Sequence, residues 1–97
     1  MEYKVLFSED ALTDLDEILE FIRKNNVAAA ERFGNALLNH VNLLAQFPHI
    51  GAPVVRRPGI RKLLHTPIRI YYRIDEERKT AEVIHFWHAS RRPPKLP

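Results

Sequence analysis

Between Gly59 and Pro93 the chain runs three times through strand-like alternation, over residues 60–65, 68–74 and 82–88, and nothing else among its 97 residues constrains the fold as tightly. Successive side chains on a strand point to opposite faces of the sheet. In the middle run Ile68, Ile70, Tyr72 and Ile74 therefore point one way, and Arg69, Tyr71 and Arg73 the other. One face belongs to a core and the other is cationic. Two guanidiniums flanking an aromatic ring on a rigid strand suit a phosphate, a stacked base or an acidic partner segment. Solvated Arg and Tyr are equally ordinary on the open face of an antiparallel sheet.

A sheet with one apolar face needs a cover, and the first half of the chain supplies it. After a short strand over residues 3–7, Ser8 is placed to cap a helix whose first turn carries Glu9 and Asp10, where carboxylates favour the helix dipole. Ala11, Leu15, Ile18 and Ile22 recur at helical spacing, with Leu12 and Leu19 widening the stripe; Asp14, Asp16, Glu17 and Glu20 are assigned to the solvated side. Lys24, Asn25 and Asn26 form a polar turn, and Asn26 is placed to cap a second helix bearing Ala29, Ala30, Phe33, Leu37, Val41 and Leu44. The early alanines of that helix permit close packing. Pro48 disfavours helix at Phe47, and Gly51 is expected to relax the backbone of the turn that follows. A basic loop with Arg56 and Arg57 then leads to the sheet, Thr66-Pro67 starts the first strand connection, and residues 75–80 form a polar hairpin turn. The expected architecture is α+β: an N-terminal strand, a two-helix antiparallel hairpin, then three antiparallel strands, all in one domain spanning residues 1–97. Arg91-Arg92-Pro93-Pro94-Lys95-Leu96-Pro97 is a basic tail whose prolines forbid a regular helix.

Charge divides along the same boundary. Residues 1–50 hold four Lys/Arg against eight Asp/Glu, and residues 51–97 hold eleven against four, so halves of −4 and +7 make up the net charge of +3. Such a field steers the basic half toward nucleic acid or an acidic protein segment and makes association salt-sensitive. The chain has no cysteine, which removes disulfides and thiolate nucleophiles and fits a reducing compartment. Its start lacks the basic and apolar regions of a signal peptide, and no apolar run reaches membrane-spanning length, so a cytoplasmic location is expected.

The alanine-rich segment 28–30 with Phe33, the Phe47-Pro48-x-x-Gly51 turn, Arg61-x-Leu63, the run from Pro67 to Ile74, and Val83-Ile84-His85-Phe86-Trp87-His88-x-x-Arg91-x-Pro93 together resemble the ParE/RelE superfamily of bacterial toxins. The match covers nearly the whole chain. The resemblance implies a type II toxin–antitoxin or plasmid-stabilisation role, with a cognate antitoxin as partner and no membrane association. It also implies one of two targets: RelE-like members cut mRNA on the ribosome without metal, whereas ParE-like members poison DNA gyrase. The His-x-x-Arg-x-Pro ending favours the ParE-like branch.

If the chain is a nuclease, catalysis falls to His88, Arg69 and Arg91. His88 is the candidate for proton transfer because imidazole titrates near neutrality, and arginine is a poor general base. Arg61, Arg69, Tyr71, Arg73 and Arg91 are the candidates for binding phosphate or a partner, with Arg61 orienting the backbone and Tyr71 stacking a base. Alternation places His88 with Ile84 and Phe86, and Trp87 with His85 and Val83. His85 and His88, three apart, fall on opposite faces, so no shared metal is expected, and no cofactor either. Trp87 is expected to serve packing or an interface.

Overall fold

The computed structural model describes residues 2–97, and it builds one five-stranded sheet with the helical hairpin on one side. In chain order the elements are β1 (Lys4–Phe7), α1 (Glu9–Arg23), α2 (Val27–Asn42), a 3-10 turn (Leu43–Ala45), β2 (Ala52–Pro53), β3 (Ile60–His65), β4 (Ile68–Asp75) and β5 (Thr80–His88). The strands lie in the order β1-β5-β4-β3-β2; β1 runs parallel to β5, and every other pairing is antiparallel. The expected α+β order holds, with a two-residue edge strand added. Pro53 sits in that strand because an edge position leaves its missing N–H unneeded.

Both helix caps form as their residue types dictate. Ser8 Oγ accepts the Ala11 N–H (3.0 Å), and Asn26 Oδ1 accepts the Ala29 N–H (2.9 Å). Leu44 lies in the 3-10 turn rather than in α2, and is fully buried there. The two helices approach closely at Gly34, where an added Cβ would meet Leu19 Cδ2 at 3.3 Å, one turn on from buried Ala30. Leu12 does not widen the core stripe as expected; it is exposed, because α1 presents Ala11, Leu15 and Ile18 to the sheet.

The core lies between hairpin and sheet, around Ala11, Leu37, Val41, Leu44, Ile68, Ile70, Tyr72, Ala81, Val83 and Phe86. Burial of each large aliphatic or aromatic side chain contributes about 1.5–3 kcal/mol. Tyr72 brings a hydroxyl into this core and satisfies it twice, donating to the Pro48 carbonyl (2.6 Å) and accepting the Gly51 N–H (2.9 Å). Gly51 serves space rather than backbone freedom: a Cβ there would lie 2.7 Å from the Lys62 carbonyl and 2.8 Å from the Tyr72 hydroxyl.

One irregularity sets the geometry of everything that follows. Tyr71 pairs with His85, but its neighbour Tyr72 pairs with Val83, so Ile84 is an extra residue and β5 carries a bulge. Register pairs share a face, which puts Ala81, Val83, Phe86 and His88 on the helix side and Glu82, His85 and Trp87 on the other. Val83 is thereby separated from His85 and Trp87, correcting the simple alternation.

Candidate functional site

The face turned away from the helices carries the basic residues of β4. Arg69, Tyr71 and Arg73 share it as expected, with Lys62 of β3 opposite Tyr71 and Trp87 of β5 opposite Arg69. The Arg69 guanidinium makes no ion pair among the described residues, whereas Arg73 is held to Glu82 at 3.0 Å. Both members of that pair are substantially exposed, so it contributes at most about 1 kcal/mol and leaves Arg73 free to exchange partners. Arg91 joins the face from the tail: its guanidinium lies 4.1 Å from the Trp87 ring centre, and Trp87 Nε1–H donates to the Arg92 carbonyl at 2.8 Å. This stack, worth about 0.5–1 kcal/mol at an exposed site, anchors the start of the tail on the sheet.

Three sequence-derived residues are placed differently from their assigned roles. Arg61 lies in register with Tyr72 on the helix side, and its Nη1 donates to the carbonyls of Gly51 (2.7 Å) and His49 (3.2 Å), so it braces the turn after Pro48. His88 lies in register with Ile68, also on the helix side, but the strand ends there and the ring is exposed. Its Nδ1 takes the Ser90 N–H (3.2 Å) and the Ser90 hydroxyl (2.6 Å), so the imidazole is tied into the turn leading to Arg91. Tyr71 is only 2 % exposed, and its ring is therefore closed to a stacked base. Of the candidate set, Arg69, Tyr71, Arg73 and Arg91 share the open face; His88 and Arg61 do not.

Asp14 and His85 were given no role by sequence. Asp14, assigned to the solvated side of α1, instead accepts two hydrogen bonds at Oδ2, from His85 Nδ1 (2.7 Å) and from the Phe86 N–H (3.1 Å). β1 pairs with β5 only as far as Val83, and the residues after β1 finish the edge: the Ser8 N–H donates to the Val83 carbonyl, the Ser8 hydroxyl to the Ile84 carbonyl, and Asp14 takes the next N–H. The signal for Asp14 was its helical phase, about 40° from Ile18 and 60° from Ala11 at ~100° per residue, on the border of the buried stripe.

Two further polar clusters lie elsewhere. His40 and His65 face each other with their Nδ1 atoms 2.8 Å apart, and the Phe33 ring meets His65 edge-on. Burial, with His40 adding to it, lowers the pKa of His65. Tyr3 donates to Glu76, which also meets His49 Nε2 at 2.8 Å; these contacts lower the Glu76 pKa, and the Glu76 bond raises that of Tyr3. Among the described residues no helix is long and apolar enough to cross a membrane.

A helical hairpin on one side of a five-stranded sheet is the architecture of this chain, and comparison with known proteins assigns it to the ParE/RelE superfamily of toxins. Residues 5–93 match the model of the ParE toxin of type II toxin–antitoxin (parDE) systems, and the chain belongs to that family. No curated protein matches the sequence. The fold is similar to that in the RelBE2 toxin–antitoxin complex of Mycobacterium tuberculosis, with a TM-score of 0.69 and 25% identity over 91% of this chain and 99% of that one. It is also similar to a chain of the chromosomal ParDE system of P. aeruginosa, with a TM-score of 0.75 and 21% identity over 91% and 97%, a likeness of fold alone. A doubly arginine-substituted E. coli RelE in the free state gives a TM-score of 0.62 and 25% identity over 93% and 86%.

Proposed function

We propose that this toxin arrests growth by binding DNA gyrase, and that a cognate antitoxin neutralises it by covering the same basic face. The family match supports the gyrase target. The observation that carries the choice between targets is the division of the expected nuclease set: His88, its only proton-transfer group, lies on the helix side of the sheet, while Arg69 and Arg73 lie on the other. A binding surface needs no such convergence. Arg69, Arg73 and the Trp87–Arg91 stack present fixed cations on a rigid strand pair, suited to an acidic protein surface or to DNA held by the enzyme.

The antitoxin reading is supported by the toxin–antitoxin complexes among the structural relatives and by the charge of the chain. An acidic segment that is disordered alone is steered to the +7 half and folds on contact. The test is a supercoiling assay with purified gyrase and antitoxin-free toxin, scored for loss of supercoiling and for trapped cleaved DNA. Trapped cleavage that Arg69→Ala and Arg73→Ala weaken supports the proposal. Normal supercoiling at saturating toxin, from a protein that stops growth, refutes it.

A further inference from the structure

The segment joining β2 to β3 is tightly bonded, yet it holds one residue against its conformational preference. The Val54 N–H donates to the Ile60 carbonyl (2.9 Å) and closes the neck of the loop. Two turns follow each other inside it, one closed by the Arg57 N–H on the Val54 carbonyl (3.2 Å) and one by the Ile60 N–H on the Arg57 carbonyl (3.0 Å). The second turn has the residues its shape asks for, with Pro58 second and Gly59 third at φ 83°. The first does not. Its third residue is Arg56 at φ 64°, a left-handed position that glycine or asparagine fills at lower cost. Lys79 is the other non-glycine in that region among the described residues, and there the fold uses the residue: its carbonyl takes the Lys4 N–H (2.8 Å) and its ammonium lies 5.3 Å from the Tyr3 ring centre. The Arg56 side chain makes no ion pair among the described residues. Strain that no contact within the chain accounts for points to a partner outside it.

The neighbours of Arg56 say what kind of partner that is. Val55 is 83 % exposed, more than any other large hydrophobic side chain among the described residues. Arg57 is exposed and also outside any ion pair there, its Nη1 donating only to the Arg56 carbonyl (3.0 Å). Glu76 lines the same cavity as Arg57, but Tyr3 and His49 occupy its two oxygens. The loop is bonded to β4 at its base, where the Ile74 N–H donates to the Gly59 carbonyl (3.2 Å), and the tip lies beyond that bond. It presents two uncompensated guanidiniums beside one bare apolar side chain.

We propose that the tip formed by Val55, Arg56 and Arg57 is a contact site for double-stranded DNA. Arg56 and Arg57 hold phosphates at the rim of the major groove, and Val55 enters it to meet thymine methyl groups. The groove is about 12 Å wide and admits a two-stranded ribbon, which is what β2 and the start of β3 form. Guanidiniums match phosphate in shape and stay charged at every physiological pH. Duplex DNA carries one charge per about 1.7 Å of axis, so two adjacent cations find partners in any register. An acidic peptide would satisfy the arginines and leave Val55 bare, whereas a groove takes both chemistries at once. The site lies apart from Arg69 and the Trp87–Arg91 stack, and it does not depend on the gyrase reading.

The test is fluorescence anisotropy of the full chain, freed of antitoxin, with a labelled duplex oligonucleotide over a range of salt concentrations. Arg56→Gly and Arg57→Gln should each weaken binding about tenfold, the scale of one lost charged hydrogen bond. Each should also flatten the slope of log K against log salt by about 0.9, the mark of one lost phosphate contact. Val55→Ser should weaken binding at unchanged slope. Deoxyuridine in place of thymidine should weaken the wild type and leave Val55→Ser unaffected, because only the methyl groups differ. Arg56→Gly should unfold at the wild-type temperature or above it, since glycine relieves the strained position. No duplex binding at low salt, or equal affinity and slope in wild type and variants, overturns the proposal. A sharp loss of stability in Arg56→Gly overturns it as well, because Arg56 would then serve the fold. Variants that keep duplex binding but lose the antitoxin or gyrase would make the tip a protein contact and likewise overturn it. Duplex binding through the tip, by a toxin that leaves supercoiling intact, supports this site and refutes the gyrase reading alone.

Discussion

Tyr72→Phe removes one oxygen atom and tests how the core is joined to the turn after α2. The side chain is fully buried, and its hydroxyl is shared between the Pro48 carbonyl and the Gly51 N–H. Phenylalanine fills the same ring volume, so no large cavity enters the account. The loss consists of two hydrogen bonds, each worth about 0.5–1.5 kcal/mol net, plus the cost of leaving buried backbone groups without partners. Arg61 offsets none of it, because it donates to the Gly51 carbonyl and not to its N–H. The expected destabilisation is about 2–4 kcal/mol. With an unfolding entropy of ~2.1 cal/mol/K per residue, that lowers Tm by about 10–20 °C for a chain of this size. Urea unfolding followed by circular dichroism should show a lower midpoint at unchanged slope. The same variant carries a pH signature. Burial raises the Tyr72 pKa, against the opposing effects of the Gly51 N–H and Arg61. The folded state therefore holds the phenolic proton more tightly; its contribution to stability is full below pH ~10 and is lost as pH rises through the higher folded value. Tyr72→Phe should remove that part of the alkaline decline. A change under about 0.5 kcal/mol at neutral pH, with an unchanged slope, would refute the reasoning, since neither buried partner would then depend on the hydroxyl.

Gly51→Ala should destabilise by at least about 2 kcal/mol in the same urea assay, because the new methyl group meets a backbone carbonyl that cannot rotate aside. Ser8→Ala removes both the cap of α1 and the donor to the Ile84 carbonyl, for a loss of about 1–2 kcal/mol by thermal unfolding. His65 has a folded pKa below its unfolded value, so its contribution is present above pH ~6.5 and falls away as pH drops through the folded value. His65→Leu should accordingly flatten the acid side of the stability–pH profile, measured by chemical unfolding from neutral to mildly acidic pH.

The contrast between β4 and β5 explains what sequence could and could not reveal. On β4 four apolar or aromatic residues alternate with two arginines and Tyr71, and the two faces follow by counting. On β5 the bulge residue Ile84 is itself apolar and nearly buried, so the run Val83-Ile84-His85-Phe86-Trp87 carries no mark of an inserted residue. One uncounted residue reverses which side chains accompany Val83. Sequence offered His88 as the proton-transfer group on its imidazole chemistry alone; it is His85 that the strand brings to the face of Arg69 and Arg73. Asp14 was hidden for a different reason: a carboxylate in an acidic helix looks solvated unless the open edge of a strand lies beside it, and that edge exists only because β1 stops at Phe7. Arg61 shows the complementary case. Its phase, shared with Leu63 and His65, already pointed toward the helix side, but there it meets the turn after Pro48, whose His49 and Gly51 carbonyls take the guanidinium. Alternation thus assigns a side chain to a face, and the reach of the neighbouring elements decides whether that face is core, brace or binding surface.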